Sequence, residues 1–166
     1  MMVPRAVRGD APAPVLREED STMGFPCTAM TVLRIRVASF EFAALMEDER
    51  APQTCFQFRR LLPYRQKLIQ ARWSGEACWI PLGDFRLDVG LENATSYPAP
   101  GEILFYPGGY SETEILLPYG PTHFASRMGQ LAGSHFLSIV EGREHLLELG
   151  KLVLWHGAQD ILFEQP

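Results

Sequence analysis

The sequence predicts a mostly β fold of about eight short strands with two helices, and three observations carry that prediction. Apolar residues alternate with polar ones in short runs, prolines and glycines fall between the runs, and only two stretches show helical spacing.

The first run is Val32, Leu33, Ile35 and Val37, followed after Ala38-Ser39 by Phe40, Phe42 and Leu45, which reads as an antiparallel pair. Ala51-Pro52 opens a helix, because proline is tolerated in the first turn where its missing N–H costs nothing. Cys55, Phe58 and Leu62 then share one face, and Pro63 ends the helix. Leu68 to Trp73 and Ala77 to Leu82 read as the next strands, joined by Ser74-Gly75-Glu76 as a hairpin turn. Further strands are expected at 86–89, 102–106, 113–117 and 135–140, with Pro98, Pro100, Gly101, Pro107, Gly108, Gly109, Pro118, Gly120 and Pro121 between them. From Arg143 to Trp155 the residues Leu146, Leu149 and Val153 form a helical stripe, interrupted by Gly150 and closed by Gly157. Asp160 to Phe163 makes a last strand that seals the sheet.

At 166 residues the chain holds one domain, large enough for a core that needs neither disulfides nor a metal. Residues 1–29 carry Pro4, Pro12, Pro14 and Pro26 with no sustained period and read as a flexible tail, so the domain proper is expected over 30–166. Met23 and Met30 lie just before that boundary, which raises an internal translation start as an expectation.

The net charge of −5 and the scattering of Arg5, Arg8, Arg17, Arg34 and Arg36 among acids argue against nucleic acid as a partner. No apolar run approaches the roughly 18 residues of a membrane span, and the N-terminus lacks the apolar block of a signal peptide, so neither a membrane partner nor export is expected. Cys27, Cys55 and Cys78 are an odd number without CxxC spacing, which suits buried thiols in a reducing, cytoplasmic compartment.

The order of elements, with Ala51-Pro52-Gln53-Thr54-Cys55-Phe56-Gln57-Phe58 after the second strand and Leu131-Ala132-Gly133-Ser134-His135-Phe136 leading to Val140-Glu141-Gly142, resembles the cyclophilin fold. A closer resemblance is to an uncharacterised bacterial family of cyclophilin-like proteins, a domain-of-unknown-function group. It is carried by Arg72-Trp73-Ser74-Gly75-Glu76, by Glu92-Asn93-Ala94-Thr95 with Tyr97 to Gly101, by Tyr106 to Glu114, and by Leu149-Gly150 through Trp155 to Ala158, and covers residues 31 to 164. The resemblance implies a closed barrel of about eight strands with two capping helices. It brings no activity with it.

Cyclophilins promote rotation about X–Pro bonds with an arginine beside an apolar groove, and Arg72 and His135 stand at the matching positions. The Phe-Met-x-Gln-Gly-Gly run of the proline pocket is absent, since Trp73-Ser74-Gly75-Glu76-Ala77 stands there, and Gln130 replaces the groove tryptophan. A divergent prolyl isomerase is thus one reading.

Other residues point to a pocket. Trp73, Trp79, Tyr97, Tyr106 and Tyr110 flank polar residues, as in the walls of small-molecule sites, although Trp79 and Tyr106 would equally fill a barrel. Glu112 and Glu114 stand two apart in a strand and so share a face, where mutual repulsion can raise one pKa or the pair can hold a cation or an amine; solvated rim charges are the plainer explanation. Arg72 and His123 are their natural partners, as a cation for an anionic group and a titratable imidazole for proton transfer.

His123, His135, His145 and His156 have no metal-binding spacing, and no P-loop, GxGxxG or GxSxG motif is present, so neither metal nor cofactor is expected. The sequence does not specify a reaction. It points to a small polar metabolite at a barrel face formed by Arg72, Trp73, Tyr106, Glu112, Glu114 and His123, with a homo-oligomeric or protein-interaction module as the competing reading, its interface anchored by the same aromatics.

Overall fold

The computed structural model describes residues 31–166. The tail expected over 1–29, the start sites at Met23 and Met30, and Cys27 lie outside the described residues.

The strands are β1 (Val32–Val37), β2 (Phe40–Met46), β3 (Tyr64–Gln70), β4 (Gly75–Gly83), β5 (Ala94–Thr95), β6 (Glu102–Tyr106), β7 (Thr113–Thr122), β8 (Ala125–Ser126), β9 (Gly129–Gln130), β10 (Gly133–Glu141) and β11 (Gln159–Glu164). Helix α1 (Pro52–Arg59) follows β2, and α2 (Leu146–His156), entered through a 3-10 turn at Arg143–His145, precedes β11. Eight strands run around a closed barrel in the order β2-β1-β11-β3-β4-β7-β6-β10, and β10 pairs back to β2. Every pairing is antiparallel. The short β5 adds to β10, while β8 and β9 form a separate hairpin. This is the mostly β, closed eight-strand architecture with two helices that the resemblance implied.

Closure matters because it removes the two sheet edges that an open antiparallel sheet would expose. Inside lies the main core: Leu33, Ile35 and Val37 of β1, Phe42 of β2, Ile115 and Leu117 of β7, Ile161 and Phe163 of β11. Both helices feed it, α1 with Cys55 and Phe58, α2 with Leu146, Leu149 and Val153. Phe58 sits edge-on to Phe136 at 4.9 Å and to Phe163 at 5.3 Å, the arrangement that ring quadrupoles favour.

Several boundaries differ from expectation. Helix α1 ends at Arg59, so Leu62 is not on its apolar face. Strand β3 starts at Tyr64, and Arg72 and Trp73 lie beyond it in the turn to β4. The strand expected at 86–89 is absent: both sides of β4 are already taken, by β3 and β7, and the segment runs as a loop with Leu87 tucked into the core and Asp88 in the left-handed region. Strand β7 is longer than expected because it continues through Pro118 and Pro121.

Candidate functional site

Along β7 the side chains alternate, so Ile115 and Leu117 enter the barrel while Glu114 and Leu116 stand on its outer surface. A second, smaller apolar cluster covers that surface, built from Ala77, Leu104, Tyr106 and Leu116 of the barrel wall with Phe124 and Leu131, which flank the β8–β9 hairpin. Trp79 and Tyr106, the two aromatics that could equally have filled the barrel, pack in or against this outer cluster.

The hairpin is fastened to the β3–β4 turn. Ser74 Oγ donates to the carbonyl of Ala125 at 3.1 Å and accepts from its N–H at 3.2 Å. Gly75 makes the approach feasible: its φ is +89°, and a Cβ there would meet the Pro121 carbonyl oxygen at 2.8 Å.

Between turn, hairpin and β7 lies a cavity of about 120 Å³. The turn supplies Ala71, Arg72, Trp73 and Ser74, the sheet Trp79, Glu114 and Leu116, the segment before β7 Ser111 and Glu112, and the hairpin Ala125, Ser126 and Arg127. It continues outward into an open groove bordered by Arg72, Trp73, Glu112 and Arg127, with Pro81, Tyr110 and Met128 added. Arg72, Glu112 and Arg127 are exposed at this rim, whereas Glu114 is buried at 6% exposure.

Glu114 is flanked in the sheet by Pro81 of β4 and Tyr106 of β6. Its carboxyl forms no hydrogen bond or ion pair with another described residue. Burial, and next the neighbouring charge of Glu112, push its pKa up to about 8, so it keeps its proton at neutral pH. Glu112 is tied back by the Gly83 N–H, which donates to its Oε2 at 3.2 Å. Trp79 contributes an indole Nε1 that is buried and has no acceptor among the described residues. The Glu114 carboxyl, unpaired but open to the cavity it lines, is the polar group that a ligand there would meet.

The remaining expected residues are distributed as follows. Tyr106 does not line the cavity but organises it: its hydroxyl accepts from the N–H groups of Tyr110 at 3.1 Å and Ser111 at 3.3 Å, fixing the loop before Glu112. The Tyr110 hydroxyl donates in turn to the Met128 carbonyl at 2.8 Å, linking that loop to the hairpin. His123 lies one cleft away, beside Trp73 and Ser74, with its ring stacked on Tyr97 at 4.9 Å. His135 stands apart on β10, at 8% exposure, hydrogen-bonded through Nε2 to Ser138 Oγ at 2.9 Å, which itself donates to Glu47 at 2.5 Å. Gln130 bonds Ser96 Oγ at 3.0 Å. The sequence reading missed Arg127 and the serines Ser74 and Ser126.

No group of three or more His, Cys, Asp or Glu side chains able to hold a metal occurs among the described residues, and no helix among them is long and apolar enough to cross a membrane. Cys55 and Cys78 are buried free thiols, each pushed up to about 12 by burial.

Fold and site together define a closed antiparallel barrel that carries a polar-floored pocket on its outer wall. The sequence profile of the family described as "Protein of unknown function (DUF3830)" matches residues 33–165, and the chain belongs to that family. No curated protein matches it significantly. Among solved structures, McbB in complex with tryptophan aligns with a TM-score of 0.62 at 20% identity, over 80% of this chain and 44% of that one. This chain therefore spans less than half of the McbB chain. The hypothetical protein AF2241 from Archaeoglobus fulgidus aligns with a TM-score of 0.56 at 20% identity, over 82% of this chain and 95% of that one. At these identities the likeness is one of fold.

Proposed function

We propose that the protein binds a small polar metabolite in the outer-wall pocket, and that the observation carrying this reading is the unpartnered carboxyl of Glu114 on the floor of a cavity rimmed by Arg72 and Arg127. A buried acid without a partner is costly to the fold, and such groups gather where a protein handles ligands. McbB, a neighbour in fold, was solved with tryptophan, which supports a small-molecule role for a barrel of this kind. A carboxyl that keeps its proton near neutrality is also fitted to exchange a proton with the bound molecule. The acidic floor argues against a proline ring as the occupant, since that ring calls for an apolar one. Buried free thiols support a cytoplasmic setting.

A thermal-shift screen of polar metabolites against the full chain tests the reading. At least one class should raise the melting temperature, and that shift should shrink in Glu114→Gln or Arg72→Ala. A screen in which no class stabilises the protein would remove the proposal.

A second reading, a homo-oligomer or protein-interaction module, is favoured by the exposure of Trp73 at 58% and Tyr110 at 61%. Light scattering after size exclusion decides it: a stable oligomer that dissociates in Trp73→Ala supports the interface, and a monomer refutes the homo-oligomer.

A further inference from the structure

We propose that the pocket is built for a small zwitterion, an amino-acid-like molecule whose ammonium group is held by Glu114 and Glu112 and whose carboxylate is held by Arg72 and Arg127. This deepens the metabolite reading above and rests on it.

The first argument is complementarity. Two acids and two arginines line a single cavity, Arg72, Glu112 and Arg127 at its exposed rim and Glu114 buried within. Neither Arg72 nor Arg127 pairs with an acid among the described residues, so both forks are free for a carboxylate, the planar partner that guanidinium matches with two parallel bonds.

Glu114 argues for the ammonium. It is 6% exposed, lines the cavity and lacks a partner, so an ionised carboxylate there is stable only beside a cation. An all-protein calcium or zinc cage wants more ligands than two glutamates supply, and no third acidic, histidine or cysteine ligand joins them among the described residues. A primary ammonium, with three donors, is satisfied by two carboxylates.

Size places the rest of the molecule. A cavity of about 120 Å³ takes a charged head and little more. The body must lie in the outer groove, where Trp73, Tyr110 and Met128 are exposed at 58%, 61% and 54% and offer apolar surface.

Binding has a proton balance. In the free protein Glu114 is neutral at pH 7, because burial and Glu112 hold its pKa near 8. The ligand enters as R–NH3+, Glu114 ionises beside it, and its proton passes to solvent, one per molecule bound. The titratable and charged groups around Glu114 are Glu112 before β7, Tyr106 on β6, Arg72 on the β3–β4 turn and Arg127 on the hairpin.

Calorimetric titration of the full chain in buffers of different ionisation enthalpy reads both affinity and proton release. The probes are two matched sets, L-tryptophan with tryptamine and indole-3-propionate, and L-leucine with isoamylamine and 4-methylpentanoate. Glucose and succinate serve as polar molecules without an amine. In at least one set the amino acid should bind about tenfold tighter than either truncated analogue, releasing close to one proton at about pH 6.5 and almost none above about pH 9. Glu114→Gln should abolish the release and the advantage over the deaminated acid, and Arg72→Ala or Arg127→Ala the advantage over the amine.

The zwitterion is overturned if a deaminated acid binds as well as its amino acid without releasing a proton, which would make neutral Glu114 a donor in an anion site. It is equally overturned if only glucose or succinate binds. Either result leaves the metabolite reading standing, whereas binding by none of the probes, joined to a null metabolite screen, ends both.

Discussion

Glu92 reaches back 38 residues in the chain to Thr54, accepting its backbone N–H and its hydroxyl through one carboxylate oxygen, each at 2.8 Å. The other oxygen accepts the Gln53 N–H at 3.2 Å. Ala51, at the position before α1, has no side chain that could cap the helix, so the orphan N–H groups of the first turn are satisfied from a distant loop. Glu92→Ala should cost about 1–2 kcal/mol, the range for loss of a helix cap, with the buried Thr54 hydroxyl left unpaired. Urea unfolding checks this, and a loss within error would show that α1 does not need the carboxylate.

Glu114 predicts a stability that falls as pH rises. Its pKa stands at about 8 in the folded chain against 4.5 for the free side chain, so the native state holds the proton more tightly than the unfolded one. Its contribution is complete below pH 4.5 and disappears as pH climbs through about 8. Glu114→Gln lacks the titration, so the variant should match wild type near pH 4 and exceed it by on the order of 2–4 kcal/mol near pH 9. Chemical denaturation of both proteins at several pH values measures the difference, and parallel curves would contradict it.

Gly150 interrupts the apolar stripe of α2 because the ring of Tyr119 lies against the helix there. A Cβ at 150 would meet that ring at 2.4 Å, and the ring is held in turn by the Gln70 amide, which donates to the Tyr119 hydroxyl at 3.0 Å. Gly150→Ala should therefore destabilise by about 1–3 kcal/mol, although alanine is the better helix former. In a Tyr119→Ala background the same change should cost little, and a double-mutant cycle reads the coupling.

Cys55 and Cys78 should resist alkylation in the native protein. Both are buried, and burial keeps their thiols protonated, so the reactive thiolate is scarce and shielded. Iodoacetamide at about pH 8, followed by peptide mass spectrometry, should find both unmodified until denaturant is added. Rapid native labelling of either would refute this.

Much of the barrel was legible because its strands pack one face on a core. In β1 and β2 the alternation of Leu33, Ile35 and Val37 and then of Phe40 and Phe42 marked both strands and their break, although Leu45, read with them, falls on the opposite face from Phe42, Ala44 and Met46. The stripe of Leu146, Leu149 and Val153 is the buried side of α2. At 86–89 the same alternation misled, because Arg86, Leu87, Asp88 and Val89 mimic a strand where the sheet has no free edge, and local pattern cannot register that.

The site was legible in half. Arg72, Trp73, Glu112 and Glu114 do share one cavity, brought together by the β4–β7 pairing and the turn before β4. Arg127 escaped because its hairpin consists of two strands of two residues each, too short to leave a period. His135 was indistinguishable in sequence from a groove histidine, since only the register of β10 against β6 and β2 shows that it belongs to the Ser138–Glu47 network.

The outer apolar cluster is separate from the core inside the barrel. Ligand preference can thus drift, residue by residue, in the turn, the hairpin and the even-numbered positions of β7 without disturbing what keeps the cylinder folded. A designer wishing to retarget the molecule would redraw its outer wall and leave the interior untouched.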